Sequence, residues 1–169
     1  MKPTEYASLS HAWLDLVPAY RSRSYQPLHI SFPWEPEYAA WAERLSPSRV
    51  AKRRRSYEIA GELDRSRGSI RFGVSKEGHG VAGRRADFCL IGAAFHRERH
   101  DLTVFYRRLE LQGGLHFDLP LFQTIHDDFR TIRTLTIYAL VADVFAPKGN
   151  SNERLNPVLR AYHEGRAHD

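Results

Sequence analysis

Cysteine is almost missing from this chain, which has one in 169 residues. A lone thiol excludes an intrachain disulfide and any cysteine-rich zinc site, so the fold must rest on its own apolar core. Long apolar runs are missing too. None approaches the roughly 20 residues that cross a bilayer as a helix, and no charged-apolar-small leader pattern opens the sequence. These absences predict a soluble protein in a reducing cytoplasm, with no membrane partner. Lysine is scarce beside arginine, although the formal net charge is +5. Such a balance favours phosphate-bearing partners, because a guanidinium fork meets two phosphate oxygens at once. It does not distinguish a nucleotide from a polymer.

The length suits one domain with a sizeable core. Tyr6, Leu9, Trp13 and Leu16 recur at spacings of three and four, which predicts a helix within 3–17. Pro27, Pro33 and Pro36 mark the stretch from Tyr25 as a loop or edge strand. A short helix over Glu35 to Leu45 follows, then a second opened by Ser46 and Pro47 and running to about Asp64. Residues 69–74 alternate as a strand, and the glycine-rich segment from Lys76 to Gly83 reads as a flexible loop.

From Asp87 the strand signal strengthens. Residues 88–96 and 102–109 are apolar runs joined by a short polar turn, which predicts an antiparallel pair. A helix is expected over 118–131, a sheet-interior strand over 135–146, and a last helix from an Asn152 cap to about His163. The fold class is therefore α+β. Residues 1–66 form a helical N-terminal part of the single domain, and 67–169 its sheet-containing part.

The most organised segment begins at Cys89. A cysteine heading an apolar strand is most often a small buried hydrophobe. Here Arg84, Arg85 and Arg108 lie near it in sequence or across the hairpin, and positive charge stabilises the attacking thiolate. Downstream, Tyr106, Arg108, Glu110, the pair Gly113 and Gly114, Phe117 and Asp118 follow in order.

This spacing resembles the thymidylate synthase superfamily, where a nucleophilic cysteine precedes a hairpin, then Tyr-x-Arg-Ser, an acidic residue, a glycine and Phe-Asn or a close variant. The match covers residues 67–131 of a short, divergent chain, closest in kind to the thymidylate synthases and cytidylate hydroxymethylases. It implies a mainly antiparallel sheet with packed helices and a nucleotide site in residues 67–169. In such a protein the Cys89 thiolate adds to C6 of a pyrimidine, and C5 then takes a one-carbon unit from methylene tetrahydrofolate. Arg108 binds the nucleotide phosphate. Arg67 and Arg71 stand where relatives supply an arginine pair to the partner subunit, which implies a homodimer.

Asp118 departs from the family pattern. Relatives that act on uracil carry Asn there, whose amide serves O4 and N3–H, whereas cytosine inverts that edge. A carboxyl suits cytosine: one oxygen accepts from the exocyclic amine and a proton on the other serves N3. Two readings stand side by side, a reader of a cytosine nucleotide and a cap for a helix beginning at Leu119. Further departures point away from chemistry. Leu90 and Leu109 replace the family's His and Ser, no His-x-Tyr follows the 135–146 strand, where Lys148, Asn150 and Asn152 are the polar residues on offer, and the chain is short for folate recognition. A non-catalytic relative that binds nucleotide or nucleic acid is the alternative.

Other clusters carry less. His96 and His100 fall on a strand and a turn with no third ligand, and His116 and the run His126 to Asp128 read as helix surface, so no metal is expected. Gly78, Gly80 and Gly83 lack the ending of a phosphate loop. Lys52, Arg53, Arg54 and Arg55 are either a nucleic-acid-binding run or a solvated helix face paired with Glu58, Glu62 and Asp64.

Overall fold

The computed structural model describes residues 2–22, 26–64, 69–72, 89–129, 132–144 and 154–168, with backbone alone for 22, 53, 55–64, 69–72, 128 and 129. Its elements are β1 (Thr4–Glu5), α1 (Leu9–Ser22), β2 (Gln26–Pro33), α2 (Pro36–Leu45), α3 (Pro47–Ala60), β3 (Gly61–Asp64), β4 (Ser69–Phe72), β5 (Leu90–His96), β6 (Asp101–Glu110), α4 (Gly113–Phe129), β7 (Thr134–Asp143) and α5 (Asn156–Ala167). The strands form one sheet in the order β1-β2-β7-β6-β5-β4-β3. The class is α+β.

The sheet is mixed, which corrects the mainly antiparallel expectation. Strands β1 and β2 run parallel, as do β6 and β7, while the other neighbouring pairs are antiparallel. The central parallel pair has a plain cause. Between β6 and β7 the chain returns through the 17-residue helix α4, so β7 starts at the same end as β6. Strands also come from both sides of residue 66, since β1, β2 and β3 join the same sheet. The N-terminal part is therefore not purely helical.

Local chemistry explains most boundaries. Ser8 opens α1 by accepting the His11 backbone N–H on its side-chain oxygen at 3.1 Å. Pro36 and Pro47 stand at the first positions of α2 and α3, where a missing N–H costs nothing. Helix α3 stops at Ala60, before Gly61, instead of continuing to Asp64. The prolines of β2 do not make it an edge. Pro27 falls where the β2–β7 register shifts, Pro33 is the last residue, and β2 lies between β1 and β7. Helix α4 begins at Gly113, five residues earlier than its apolar pattern suggests.

Alternation along the strands separates two faces. Leu28, Ile30 and Phe32 of β2, Leu135, Ile137 and Ala139 of β7, and Leu102, Val104 and Tyr106 of β6 are buried in one core with residues of α1, α2, α4 and α5. Among the described residues no helix is long and apolar enough to cross a membrane.

The helices are tied together by a buried polar chain. The Ser10 hydroxyl lies 3.0 Å from the Tyr38 hydroxyl and 2.8 Å from His163 Nδ1, and His163 Nε2 lies 2.7 Å from His116 Nε2. His116 Nδ1 meets the Gln112 carbonyl. A carbonyl only accepts, so His116 carries its proton on Nδ1 and accepts on Nε2. His163 then donates from Nε2 and accepts the Ser10 proton on Nδ1, and Ser10 accepts from Tyr38. Every group in the chain is satisfied with both rings neutral. Trp13 stacks on His163 at 4.9 Å between ring centroids. His116 is thus fully buried, not on an exposed helix face as its sequence context suggests.

Burial pushes His116 down to about 4, and burial, the neighbouring His116 and Arg166 push His163 down as well. The unfolded chain therefore binds protons from about pH 6.5 that the folded chain refuses. Stability from this network is fully present above pH 6.5 and is lost as pH falls, by up to about 1.4 kcal/mol per pH unit for each histidine. Urea unfolding between pH 7.5 and pH 4.5 should show the midpoint steady at first and then falling steeply. A midpoint that does not move over that range contradicts the neutral pair.

Candidate nucleotide site at the Cys89 end of the sheet

Strand β6 gathers the residues that the sequence singles out. Leu90 of β5 pairs with Tyr106, and the Cys89 carbonyl, one residue earlier, accepts the Arg107 N–H at 2.8 Å. Cys89 itself is half-buried and packs against the core. The Tyr106 side chain points into that core and donates its hydroxyl proton to Asp118 Oδ2 at 2.8 Å. Asp118 is 0% exposed. Because α4 starts at Gly113, Asp118 lies in its second turn, and the helix-cap reading of this residue falls away.

Arg108 faces the other neighbour. Its Nε and one terminal nitrogen donate to Asp143 Oδ2 at 2.9 and 2.7 Å. Parallel pairing places Glu110 level with Asp143, so the guanidinium reaches forward along the ladder to the carboxylate. The pair is unequal: Asp143 is 1% exposed and the Arg108 side chain 46%. A charge buried this deeply needs a partner, and Arg108 supplies it. At the same end, Gly114 lets α4 sit close on β6, since a Cβ there would lie 3.1 Å from Glu110 Cβ. Arg49 of α3 places its guanidinium 5.4 Å from the Phe117 ring centre, a cation–π contact at the start of α4.

Cys89, Tyr106, Arg107, Arg108 and Asp118 thus share the end of one hairpin and the helix that follows it. Arg71 is paired by its backbone with Gly92 in β4 and β5, while Arg67, Arg84, Arg85, Lys148, Asn150, Asn152 and the glycines 78, 80 and 83 lie outside the described residues. Within the basic run, Lys52 is exposed and Arg54 meets Glu43 at 3.4 Å, while the side chains of Arg53 and Arg55 lie outside the described residues.

Asp143 and Arg49 are site neighbours that sequence reasoning passed over. Asp143 had a visible signal, as an acid inside the apolar run 135–146; Arg49 had none beyond its place in a basic helix. His100 takes a left-handed turn conformation at φ 51°, and its carbonyl accepts the N–H groups of Arg133 and Thr134. His126 lies 3.4 Å from Asp127 on α4. Among the described residues no three His, Cys, Asp or Glu side chains form a metal-binding group. A cavity of about 460 Å³ lies at the opposite end of β6, around Asp101 and Thr103, and none of Cys89, Arg108 or Asp118 lines it. No protein-family model and no curated protein matches the chain.

Replacing Tyr106 by Phe removes one donor from a buried carboxylate. The variant should lose about 1–3 kcal/mol in urea unfolding at pH 7. Unchanged stability means the Tyr106 hydroxyl does not hold Asp118.

Proposed function

We propose that this chain is a thymidylate-synthase-like protein that acts on C5 of a pyrimidine nucleotide, with a cytosine nucleotide preferred. The observation that carries the reading is the hydrogen bond between the Cys89 carbonyl and the Arg107 N–H, which sets the thiol-bearing residue beside Tyr106, Arg108 and, through Tyr106, Asp118. Cys89, the nucleophile of the resemblance, and Arg108, its phosphate ligand, then lie on the two arms of one hairpin, and Asp118, its base reader, is bonded to the same hairpin through Tyr106.

In this reading the Cys89 thiolate forms a bond to C6, and the C5–C6 π pair moves to C5, which takes a proton from solvent. Loss of the original C5 proton returns the pair and expels the thiolate. This exchange is balanced and needs no carbon donor. Arg108 holds the phosphate, which competes with Asp143 for the guanidinium. The resemblance implies methylene tetrahydrofolate as carbon donor, and the 460 Å³ cavity lies at the other end of β6 from Cys89. No step is therefore routed through it. A homodimer, with Arg67 and Arg71 crossing to the partner's phosphate, belongs to the same reading.

The second reading is a non-catalytic relative of the same fold, and the Arg108–Asp143 pair favours it, because that arginine already has a structural duty. Tritium release separates the two. With CMP, dCMP, UMP and dUMP labelled at C5, the proposal expects release from the cytosine nucleotides that Cys89→Ser abolishes. No release from any of them, in protein whose fold is intact, leaves only the second reading.

A further inference from the structure

The face of the sheet turned away from the helices carries an ordered pattern that the Cys89 end does not use. His29 of β2 pairs with Tyr138 of β7, which pairs with Phe105 of β6, so three rings form one row across three strands. Ring centroids are 5.2 Å apart for His29 and Tyr138 and 6.3 Å for Tyr138 and Phe105. Phe105 is 37% exposed, and Leu140, next but one along β7, is 52% exposed. An aromatic row that reaches the surface on this face departs from the polar outer face that alternation ordinarily gives.

Two residues along the strands, roughly 7 Å away, runs a second row of hydroxyls: Ser31, Thr136 and Thr103 are register partners. These hydroxyls floor the 460 Å³ cavity, and His29 belongs to both cavity and aromatic row. Beside them on the same face Asp101, which also lines the cavity, accepts the Thr103 and Thr136 protons at 2.7 Å each. Those two hydroxyls therefore turn lone pairs outward and can accept from a ligand's hydroxyl groups. On the walls, Lys2 and Arg99 supply exposed cations, opposed by the exposed Glu5 and by Asp101, whose carboxyl is held by the two threonine hydroxyls. Arg107, exposed and two residues beyond Phe105, extends the charge along β6.

We propose that this face binds single-stranded nucleic acid, with bases stacked on the His29–Tyr138–Phe105 row and the sugar–phosphate chain laid over the hydroxyl floor toward Lys2 and Arg99. Rings reward stacking only by bases whose faces are free, which a duplex hides. The adjoining cations match a backbone rather than an apolar partner, and a chain of net charge +5 is drawn to polyanions. A second copy of this chain fits less well, because its contact would bury Lys2, Arg99 and Glu5, and interface cores are depleted in charge.

Fluorescence anisotropy with labelled single-stranded DNA and RNA of about 12 nucleotides tests the proposal. Binding should weaken with salt. Tyr138→Ala and Phe105→Ala should each weaken it about fivefold or more, whereas Tyr138→Phe, which keeps a stacking ring, should bind as wild type. Lys2→Ala with Arg99→Ala should flatten the salt dependence, and Lys52→Ala with Arg54→Ala on α3 should leave binding unchanged. Thermal melts identify variants that fold; if Tyr138→Ala does not, Phe105→Ala and the Lys2/Arg99 variant decide. Three results overturn the proposal: binding that survives the loss of both rings, displacement of the oligonucleotide by mononucleotides at equal nucleotide concentration, or no binding by a wild-type dimer that Phe105→Ala converts to monomer in light scattering. The last would make the face an interface between copies of this chain.

Discussion

Strand β6 is bonded antiparallel to β5 on one edge and parallel to β7 on the other, and the chemical groups of both candidate surfaces take their places from that arrangement. Its antiparallel edge brings Cys89 beside Arg107. Its parallel edge puts Asp143 within reach of Arg108. Alternation then sends Tyr106 inward to Asp118 and leaves Phe105 outward beside Tyr138. Hydrogen-bonded register is stringent here, because a shift of one residue would exchange the two faces and bury Phe105 and Arg107 in place of Tyr106.

Helix α4 depends on the same strand and couples two buried polar systems. His116 and Asp118 flank Phe117 on it, one bonded to His163 of α5 and the other to Tyr106 of β6. The histidine chain draws α1, α2, α4 and α5 together, so any movement of α4 that exposed Asp118 would strain it. Buried polar chains of this kind specify one arrangement more than they add stability, since each member must find its partner to avoid a desolvation cost. Exposure of Asp118 is therefore linked to the integrity of the helical layer.

The two sides of the sheet differ in what they can recognise. The helix side carries the buried Tyr106–Asp118 bond, and Arg108 is held by Asp143 on the neighbouring strand. The open side spreads rings, hydroxyls and cations over three strands, a set suited to an extended chain. Arginine abundance serves several of these ends: Arg108 neutralises a buried acid, Arg49 covers a ring, and Arg99 stands at the open cavity.

Periodicity in the sequence is enough to locate α1 to α5 and the β5–β6 hairpin, because amphipathic repeats and turn residues act over a few positions. The single thiol, the excess of arginine and the order Cys89, Tyr106, Arg108, Asp118 are likewise legible in the residues alone. Three things are not. The parallel β6–β7 pair arises from where α4 returns the chain, and the interior place of β2 from pairing with a strand more than a hundred residues away, so its proline signals point wrongly to a loop or edge. His116 has the sequence context of helix surface, yet His163, 47 residues on, meets it in the core. Asp118 has the context of a cap or an open base reader, yet α4 begins early and Tyr106 closes over it. Local sequence by itself determined the five helices in outline, the β5–β6 hairpin and the chemical groups they carry; only the tertiary structure decided the places of the remaining strands, which of those groups are neighbours and which face water, because strand register and helix docking are set by contacts that no short stretch contains.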